Sequence, residues 1–379
     1  MSDRAFGSVA VWLREFLQTA FRMVPWPTEP GLRVVGQPGE SSPVIVTGNY
    51  DLTVRRVLHA LEGLDAWVVV APSKGINVWC AASGGHLGTH QLVTALKTSG
   101  VAECVSHRRA ILPQLSATGV EAREVSQRCG WKVRFGPVYA DDLPRFLAAG
   151  GRRGVKTEAM RRIRFGARDR LEMAISWGVP AALLLGGVAL LLRPAFALPL
   201  VVLALLVAVA VFASYDRLPG PKRWIFGGFA VAAALVATAW AGGGVAALVT
   251  TAGCAALLAA VLTFDFPGST PTEGGSHFEE RCWRVVLDGE RCDGVYSCWE
   301  VCPRTCYEKP TAAGEGAGDD RRIALTHPER CVRCGACLVQ CPMDALHFED
   351  ERGSRIEADT IRRFKLNLMG QRSVDATPP

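Results

Sequence analysis

The chain has 379 residues, 49% of them hydrophobic and 21% charged, with a mean hydropathy of +0.18. At roughly 150 residues per domain this predicts two or three folded units, and the hydrophobicity excludes a disordered chain. Thirteen Cys over such a length exclude a small disulfide scaffold, and a net charge of +6 is too mild for a nucleic-acid binder.

Residues 1–30 form a first segment, in which residues 5–24 are spaced for an amphipathic helix docking onto the domain that follows. The opening residues lack a basic n-region, an apolar core and a cleavage site, so no signal peptide is expected. Residues 31–150 alternate strand-like and helix-like runs. Pro43-Val-Ile-Val-Thr47 reads as a buried strand, and Asp51-Leu-Thr-Val opens a helix with Leu52, Val54, Val57, Leu58 and Leu61 at helical spacing. Ala66-Trp-Val-Val-Val-Ala71 and Ile76-Asn-Val-Trp79 predict further strands, residues 89–98 a helix, residues 101–105 and 131–138 two later strands, and Asp141-Asp-Leu-Pro a last helix. Such alternation predicts an α/β domain with a parallel sheet.

Residues 151–172 are a basic linker carrying Arg152, Arg153, Lys156, Arg161, Arg162, Arg164, Arg168 and Arg170. From Met173 to Phe266 the only charged residues are Arg193, Asp216, Arg217, Lys222, Arg223 and Asp265. Four apolar stretches, near 173–192, 194–214, 224–242 and 244–264, approach the roughly 20 residues that cross a bilayer, so residues 173–266 are expected to be four transmembrane helices. Basic residues precede the first stretch and sit between the second and third. The positive-inside rule then puts both flanking domains on the cytoplasmic side of the cell membrane. No stretch has an interior Asp, Glu, Lys or His, which favours an anchor over a transporter. Residues 267–281 read as a Pro/Gly/Ser/Thr linker, residues 282–350 as a Cys-rich domain and residues 351–379 as a tail, with a flexible insert at 311–320.

Nine of the thirteen Cys fall between Cys282 and Cys341, many three or four residues apart, which indicates metal ligation in a reducing compartment. Cys331-Val-Arg-Cys334-Gly-Ala-Cys337-Leu-Val-Gln-Cys341-Pro matches the bacterial C-x2-C-x2-C-x3-C-P run. Three close thiolates hold one cubane and the fourth reaches its neighbour. Upstream the same spacing finds Cys292, Cys298 and Cys302 but Val295 at the second position. Cys302 would complete the [4Fe–4S] cluster of Cys331, Cys334 and Cys337. Cys292, Cys298 and Cys341 would hold a second, whose fourth ligand stays open between Cys306 and Cys282; without either, a [3Fe–4S] cluster or loss of the cluster follows. The segment resembles a bacterial dicluster ferredoxin, an α+β fold that implies one-electron transfer.

Gly75-Ile-Asn-Val-Trp-Cys-Ala-Ala-Ser-Gly-Gly-His-Leu-Gly-Thr89 places a single thiol at a strand-to-helix edge, where α/β folds bind ligands. A metal ligand, a nucleophile and a buried structural Cys are all consistent with that position. Cys104 and Cys129 read as packed small residues, and His86 with His90 as a polar helix start rather than a zinc pair. The stretch Asn77-Val-Trp-Cys-Ala-Ala82 is similar to the cap-helix motif of corrinoid proteins: the corrinoid iron–sulfur protein of acetyl-CoA synthesis and, more closely, the mercury-methylation corrinoid protein. Thr47-Gly-Asn-Tyr, Leu52-Thr-Val-Arg-Arg56, His107-Arg-Arg109, Leu112-Pro-Gln-Leu115 and Arg134-Phe-Gly-Pro137 extend the likeness over residues 43–148.

The resemblance implies a cobamide with Cys80 as lower axial ligand of cobalt, Asn77, Val78, Trp79, Ala81 and Ala82 around it, and Thr47 and Asn49 nearby. The whole chain resembles a fusion of the mercury-methylation pair, a membrane-anchored corrinoid methyl carrier with a tethered ferredoxin that reduces its cobalt. It implies a redox donor protein and a methyl-donor protein or small-molecule acceptor as partners, besides the membrane, and no nucleic acid. Ser83-Gly84 stands where the family has Gly-Lys, and no Cys follows Cys341 where the ferredoxin partner ends in a Cys pair, which disfavours mercuric ion as acceptor. The alternative is a membrane-bound electron-transfer protein whose first domain no longer binds corrinoid.

Overall fold

The computed structural model describes residues 9–272, 283–310 and 322–364; Cys282, most of the 267–281 linker, the 311–320 insert and the end of the tail lie outside the described residues. It divides into two compact units, Met1–Val24 with Phe165–Glu273, and Pro25–Arg164 with Gly274–Pro379.

Helix α1 (Val9–Ala20) belongs to the apolar unit. Arg168 lies 3.8 Å from Glu15, and Arg22 Nη1 lies 3.6 Å from Met173 Sδ. The expected docking onto the α/β domain is therefore corrected.

The α/β half follows with β1 (Gly31–Val35), β2 (Val44–Gly48), α2 (Asp51–Ala60), β3 (Ala66–Ala71), α3 (Val78–Ser83), α4 (Thr89–Thr98), α5 (Val101–Cys104), β4 (Arg109–Leu112), α6 (Ala122–Cys129), β5 (Lys132–Phe135), α7 (Leu143–Ala148) and α8 (Glu158–Arg161). The strands run in the order β1-β3-β2-β4-β5; the last four are parallel and β1 pairs antiparallel at the edge. Both faces are covered. Val44, Val46 and Val69 point toward a core with Leu92, Leu96 and Val125, whereas Ile45 and Val68 point the other way, to Val57, Leu61 and Phe146. Period-two alternation thus serves two apolar layers, as a buried parallel sheet requires. Two expected strands are helices instead. Residues 76–79 lead into α3, and Val101–Cys104 is a helical turn entered through Gly100 at φ +76°.

The apolar helices are α9 (Ala167–Leu192), α10 (Ala197–Ser214), α11 (Lys222–Trp240) and α12 (Val245–Ser269), all long and apolar enough to cross a membrane. The helix expected to stop at 264 runs on through Pro267 to Ser269, so the linker begins later than its composition implied. A Cβ at Gly178 would meet Ala208 Cβ at 2.9 Å and one at Gly186 would meet Val201 Cγ2 at 2.4 Å, so small residues let α9 and α10 approach closely. Arg170 pairs with Asp216 through two bonds of 2.7 Å, tying the start of α9 to the end of α10. Replacing Asp216 with Ala strips the buried Arg170 guanidinium of that fork. The expected loss is about 2 kcal/mol, the scale of a charged hydrogen bond, read as a lower melting temperature of the detergent-solubilised chain.

The Cys-rich half comprises β6 (Arg284–Leu287), α13 (Ser297–Val301), β7 (Tyr307–Glu308), β8 (Ala324–Leu325), α14 (Ala336–Gln340), β9 (Leu346–Glu349), β10 (Arg355–Glu357) and α15 (Ala358–Phe364). Strands β10-β9-β6 form an antiparallel sheet and β7-β8 a ribbon. Residues from 351, read as a tail, thus supply a strand and a helix; Ile356 and Ile361 are buried in this half's core.

Candidate functional site

The carboxyl ends of β2, β3, β4 and β5 define the edge on which the site is built. Strand order reverses at β2, with β3 on one side and β4 on the other, which makes Thr47 to Asn49 the switch point where open α/β sheets bind ligands. Asn49 is committed to architecture: its Oδ1 accepts from Ser73 N at 2.8 Å and Gly75 N at 2.9 Å, and its Nδ2 donates to the Thr28 carbonyl at 3.0 Å. Gly75, at φ +67° with Pro27 N 2.4 Å from a notional Cβ, admits no side chain. That loop delivers Asn77, whose Oδ1 caps α3 by accepting from Cys80 N at 3.0 Å.

Helix α3 buries Val78, Ala81 and Ala82 and leaves the Cys80 thiol exposed. Three buried polar atoms of this region, Thr47 Oγ1 at the end of β2 and Trp79 Nε1 and Ser83 Oγ on α3, have no hydrogen-bond partner among the described residues. Unpaired buried polar groups are costly, and a ligand with polar edges would satisfy them. Ser83, the departure from the corrinoid motif, is one of the three. The edge offers a ligand these polar atoms and an exposed thiol, a soft donor for a metal. Cys104 and Cys129 donate to the Gly100 and Val125 carbonyls as packed residues do, and His86 precedes α4 whereas His90 lies on it, 3.3 Å from Arg128.

In the Cys-rich half, Cys302, Cys306 and Cys331 form one hydrogen-bonded thiol group, with the Cys334 and Cys337 thiols beside it. The bond from Cys306 holds Cys302 down to about 7 and lowers Cys331, while Cys306 itself is pushed up. Burial raises Cys334 and Cys337, the state a coordinating iron would reverse. Cys298 neighbours Cys292 and Cys341. Cys306 is thus gathered with Cys302 and Cys331, not with the three thiols that lack a fourth. Backbone N–H groups of Cys306, Arg333 and Ala345 approach the sulfurs of Cys302, Cys331 and Cys341 at 3.3, 3.3 and 3.4 Å. Among the described residues no group of three or more donors is arranged to hold a single metal ion. Replacing Cys334 with Ser is expected to remove about four irons per chain, one cubane, with the remaining iron signal retained, measured by iron analysis and EPR.

The two halves are locked together at the carboxyl ends of β4 and β5. Lys156, fully buried, donates to Gln114 Oε1 at 2.9 Å, the Gly136 carbonyl at 3.1 Å and the Glu300 carbonyl at 2.8 Å, and lies 3.4 Å from the Glu300 carboxylate. Burial lowers its pKa from 10.5 to about 8 against the opposing pull of Glu300. Gln114 Nε2 donates to the Arg161 carbonyl at 2.9 Å, and the Arg161 guanidinium stacks 3.7 Å over Trp299. Gln340 Nε2 reaches the Ala117 and Val120 carbonyls at 2.9 and 2.6 Å.

The short helical turn Gln114–Thr118 lies between α3 and the Cys-rich helices. It packs on α3 on one side and on α13 and α14 on the other, and Val301, Val332, Cys334 and Ala336 share one apolar core with Val78 and Ala81. Gly119 makes the approach close: a Cβ there would meet the Ala82 and Leu87 carbonyls at 2.6 Å. Gln114, Lys156, Arg161, Trp299 and Glu300 escaped the sequence reading. Lys156 and Arg161, which the sequence places in the basic linker before the first apolar stretch, are part of this lock.

Residues 9–147 match the family model of the CO dehydrogenase/acetyl-CoA synthase delta subunit, and residues 325–347 match a 4Fe-4S binding domain. The acetyl-CoA decarbonylase/synthase complex subunit gamma of Methanopyrus kandleri is 33% identical over 129 residues, 34% of this chain and 28% of that protein. The subunits of the same name from Archaeoglobus fulgidus and Methanocaldococcus jannaschii are each 32% identical, over 32% and 36% of this chain and 26% and 28% of theirs. The chain thus spans little more than a quarter of the length of these curated relatives. It combines a region similar to those subunits, four helices able to cross a membrane, and a 4Fe-4S region.

Proposed function

We propose that this chain is a membrane-anchored corrinoid and iron–sulfur protein that carries methyl groups, with Cys80 toward the cobalt and the docked ferredoxin half as its electron supply. The observation that carries the reading is the exposed Cys80 on a capped helix that follows β3, together with the polar atoms of Thr47, Trp79 and Ser83 that lack partners among the described residues. The likeness to complex subunits of acetyl-CoA chemistry supports it. Bound at this edge, a corrinoid supplies methyl transfer, chemistry that no side chain offers.

The chain's own residues do the rest. Asn77 fixes α3 and so the Cys80 thiol; Thr47, Trp79 and Ser83 anchor polar edges; the wall of Val78 and Ala81 excludes water from the back of the helix. Cys80 would hold the metal of such a corrinoid, and its thiolate would supply electron density to it. Cys302, Cys331, Cys334 and Cys337 hold the inner cluster, and Cys292, Cys298 and Cys341 the outer one. The membership of Pro25–Arg164 and Gly274–Pro379 in one unit supports placing both on one side of the membrane, and the basic residues flanking the apolar helices favour the cytoplasmic side, where a redox donor protein would deliver electrons.

Cobalt and iron analysis of protein purified anaerobically with cobamide tests the reading. About one cobalt with seven or eight irons per chain is expected. Iron without cobalt would instead leave a membrane-bound ferredoxin whose first half serves only as its dock.

A further inference from the structure

A cavity of about 270 Å³ opens beside the incomplete cysteine set, and both Val295 and Cys341 line it. Val295 occupies the place of the missing ligand and is 40% exposed. Arg123, Arg134 and Arg153 line it as well. None of these three has a carboxylate partner among the described residues; Arg134 donates to the Gly151 carbonyl and Arg153 to the Val295 carbonyl and Ser297 Oγ. The acids of the lining are engaged: Glu300 by Lys156, Asp344 and Glu121 by Arg362. The lining thus carries three guanidiniums without a carboxylate partner among the described residues.

We infer that Cys292, Cys298 and Cys341 hold a cluster with one iron lacking a protein ligand, and that this corner, at Val295, takes a small thiol bearing a carboxylate from the cavity. The inference rests on the two-cluster part of the function proposed above. An iron that has lost a cysteine favours another soft sulfur, and a guanidinium fork favours a carboxylate. The volume exceeds a water molecule's share of about 30 Å³ many times over, enough for a molecule of several heavy atoms. Asp293, the nearest acid in sequence, is turned back, its Oδ1 accepting from Val295 N at 3.1 Å. Ligation needs no electron: the thiol gives its proton to water as its sulfur bonds to iron.

The test uses the full chain in detergent, reconstituted anaerobically with ferrous iron and sulfide, and follows the EPR of the reduced clusters during titration with mercaptoacetate or 2-mercaptoethanol. One cluster signal is expected to shift with mercaptoacetate at about tenfold lower concentration than with mercaptoethanol, the factor of a single charged contact near 1.4 kcal/mol. Arg123→Ala should remove most of that preference. Val295→Cys should abolish the response to both thiols with the iron count unchanged. A wild-type signal indifferent to both thiols overturns the inference, as does a response that appears only in Cys282→Ser, since Cys282 would then fill the corner. If Cys292→Ser with Cys298→Ser leaves the iron count unchanged, no second cluster exists and the inference fails, while cobalt binding and the inner cluster stand on their own measurements.

Discussion

Replacing Cys80 with Ala is expected to change the cobalt spectrum of the cobamide-loaded protein while its iron–sulfur signals stay as they were. The substitution is structurally mild. The Cys80 side chain is exposed, so its loss opens no cavity, and the N-cap bond is made by its backbone N–H, which Ala keeps. Alanine also favours a helix more than cysteine does. Any effect therefore reports on what the thiol touches. Cobamide retention should fall by at least the 10–100-fold that removing even an outer partner costs a metal site. Asn77→Ala separates position from ligation: it removes the cap, costing about 1 kcal/mol, and should weaken cobamide binding without deleting the sulfur-dependent feature of the spectrum. An unchanged cobalt spectrum in the Cys80→Ala protein would rule out axial ligation.

Truncating Lys156 to Ala should release the Cys-rich half from the α/β half. Glu300 is left buried without its cation, and breaking one side of a buried pair costs about 3–5 kcal/mol. Replacing both residues together, Lys156→Met with Glu300→Leu, removes the two charges at once and should restore much of the loss. Hydrogen exchange of α13 and α14 measures the release directly; equal protection in the wild type and the single variant would refute the lock. The lock also carries a pH signature. Lys156 titrates at about 8 when docked and at 10.5 when exposed, so between those values the docked form binds fewer protons. Docking therefore tightens as pH rises across that window, by ~3 kcal/mol at full extent, and the Lys156→Met/Glu300→Leu protein should show a flat profile there.

Much of this architecture is legible in the residues themselves. The spacing of Cys331, Cys334, Cys337 and Cys341 reads directly, because three thiolates within seven residues have few structural uses apart from a metal. Four long apolar runs are likewise unambiguous, since no polar interruption competes with them. Short apolar runs are not. Val101-Ala-Glu-Cys-Val105 suits a strand by composition, yet Gly100 in the left-handed region turns the chain into a helix there, and a run so short has no periodicity to decide the matter. Strand β1, with Arg33 in its middle, hides because an edge strand needs less apolar sequence. The lock is hidden for a different reason. It joins Gln114, Lys156 and Glu300 across 186 positions, and nothing local to any of them marks the others.

On the function proposed above, the turn at Gln114–Thr118, held between α3 and the Cys-rich helices, would also set the kinetics of electron delivery. A reductant fixed against its acceptor meets it at a frequency that dilution cannot alter, so electron delivery becomes first order in the protein. In a sparse membrane, where a free carrier would be rate-limiting, throughput per molecule would stay constant however few copies the cell made.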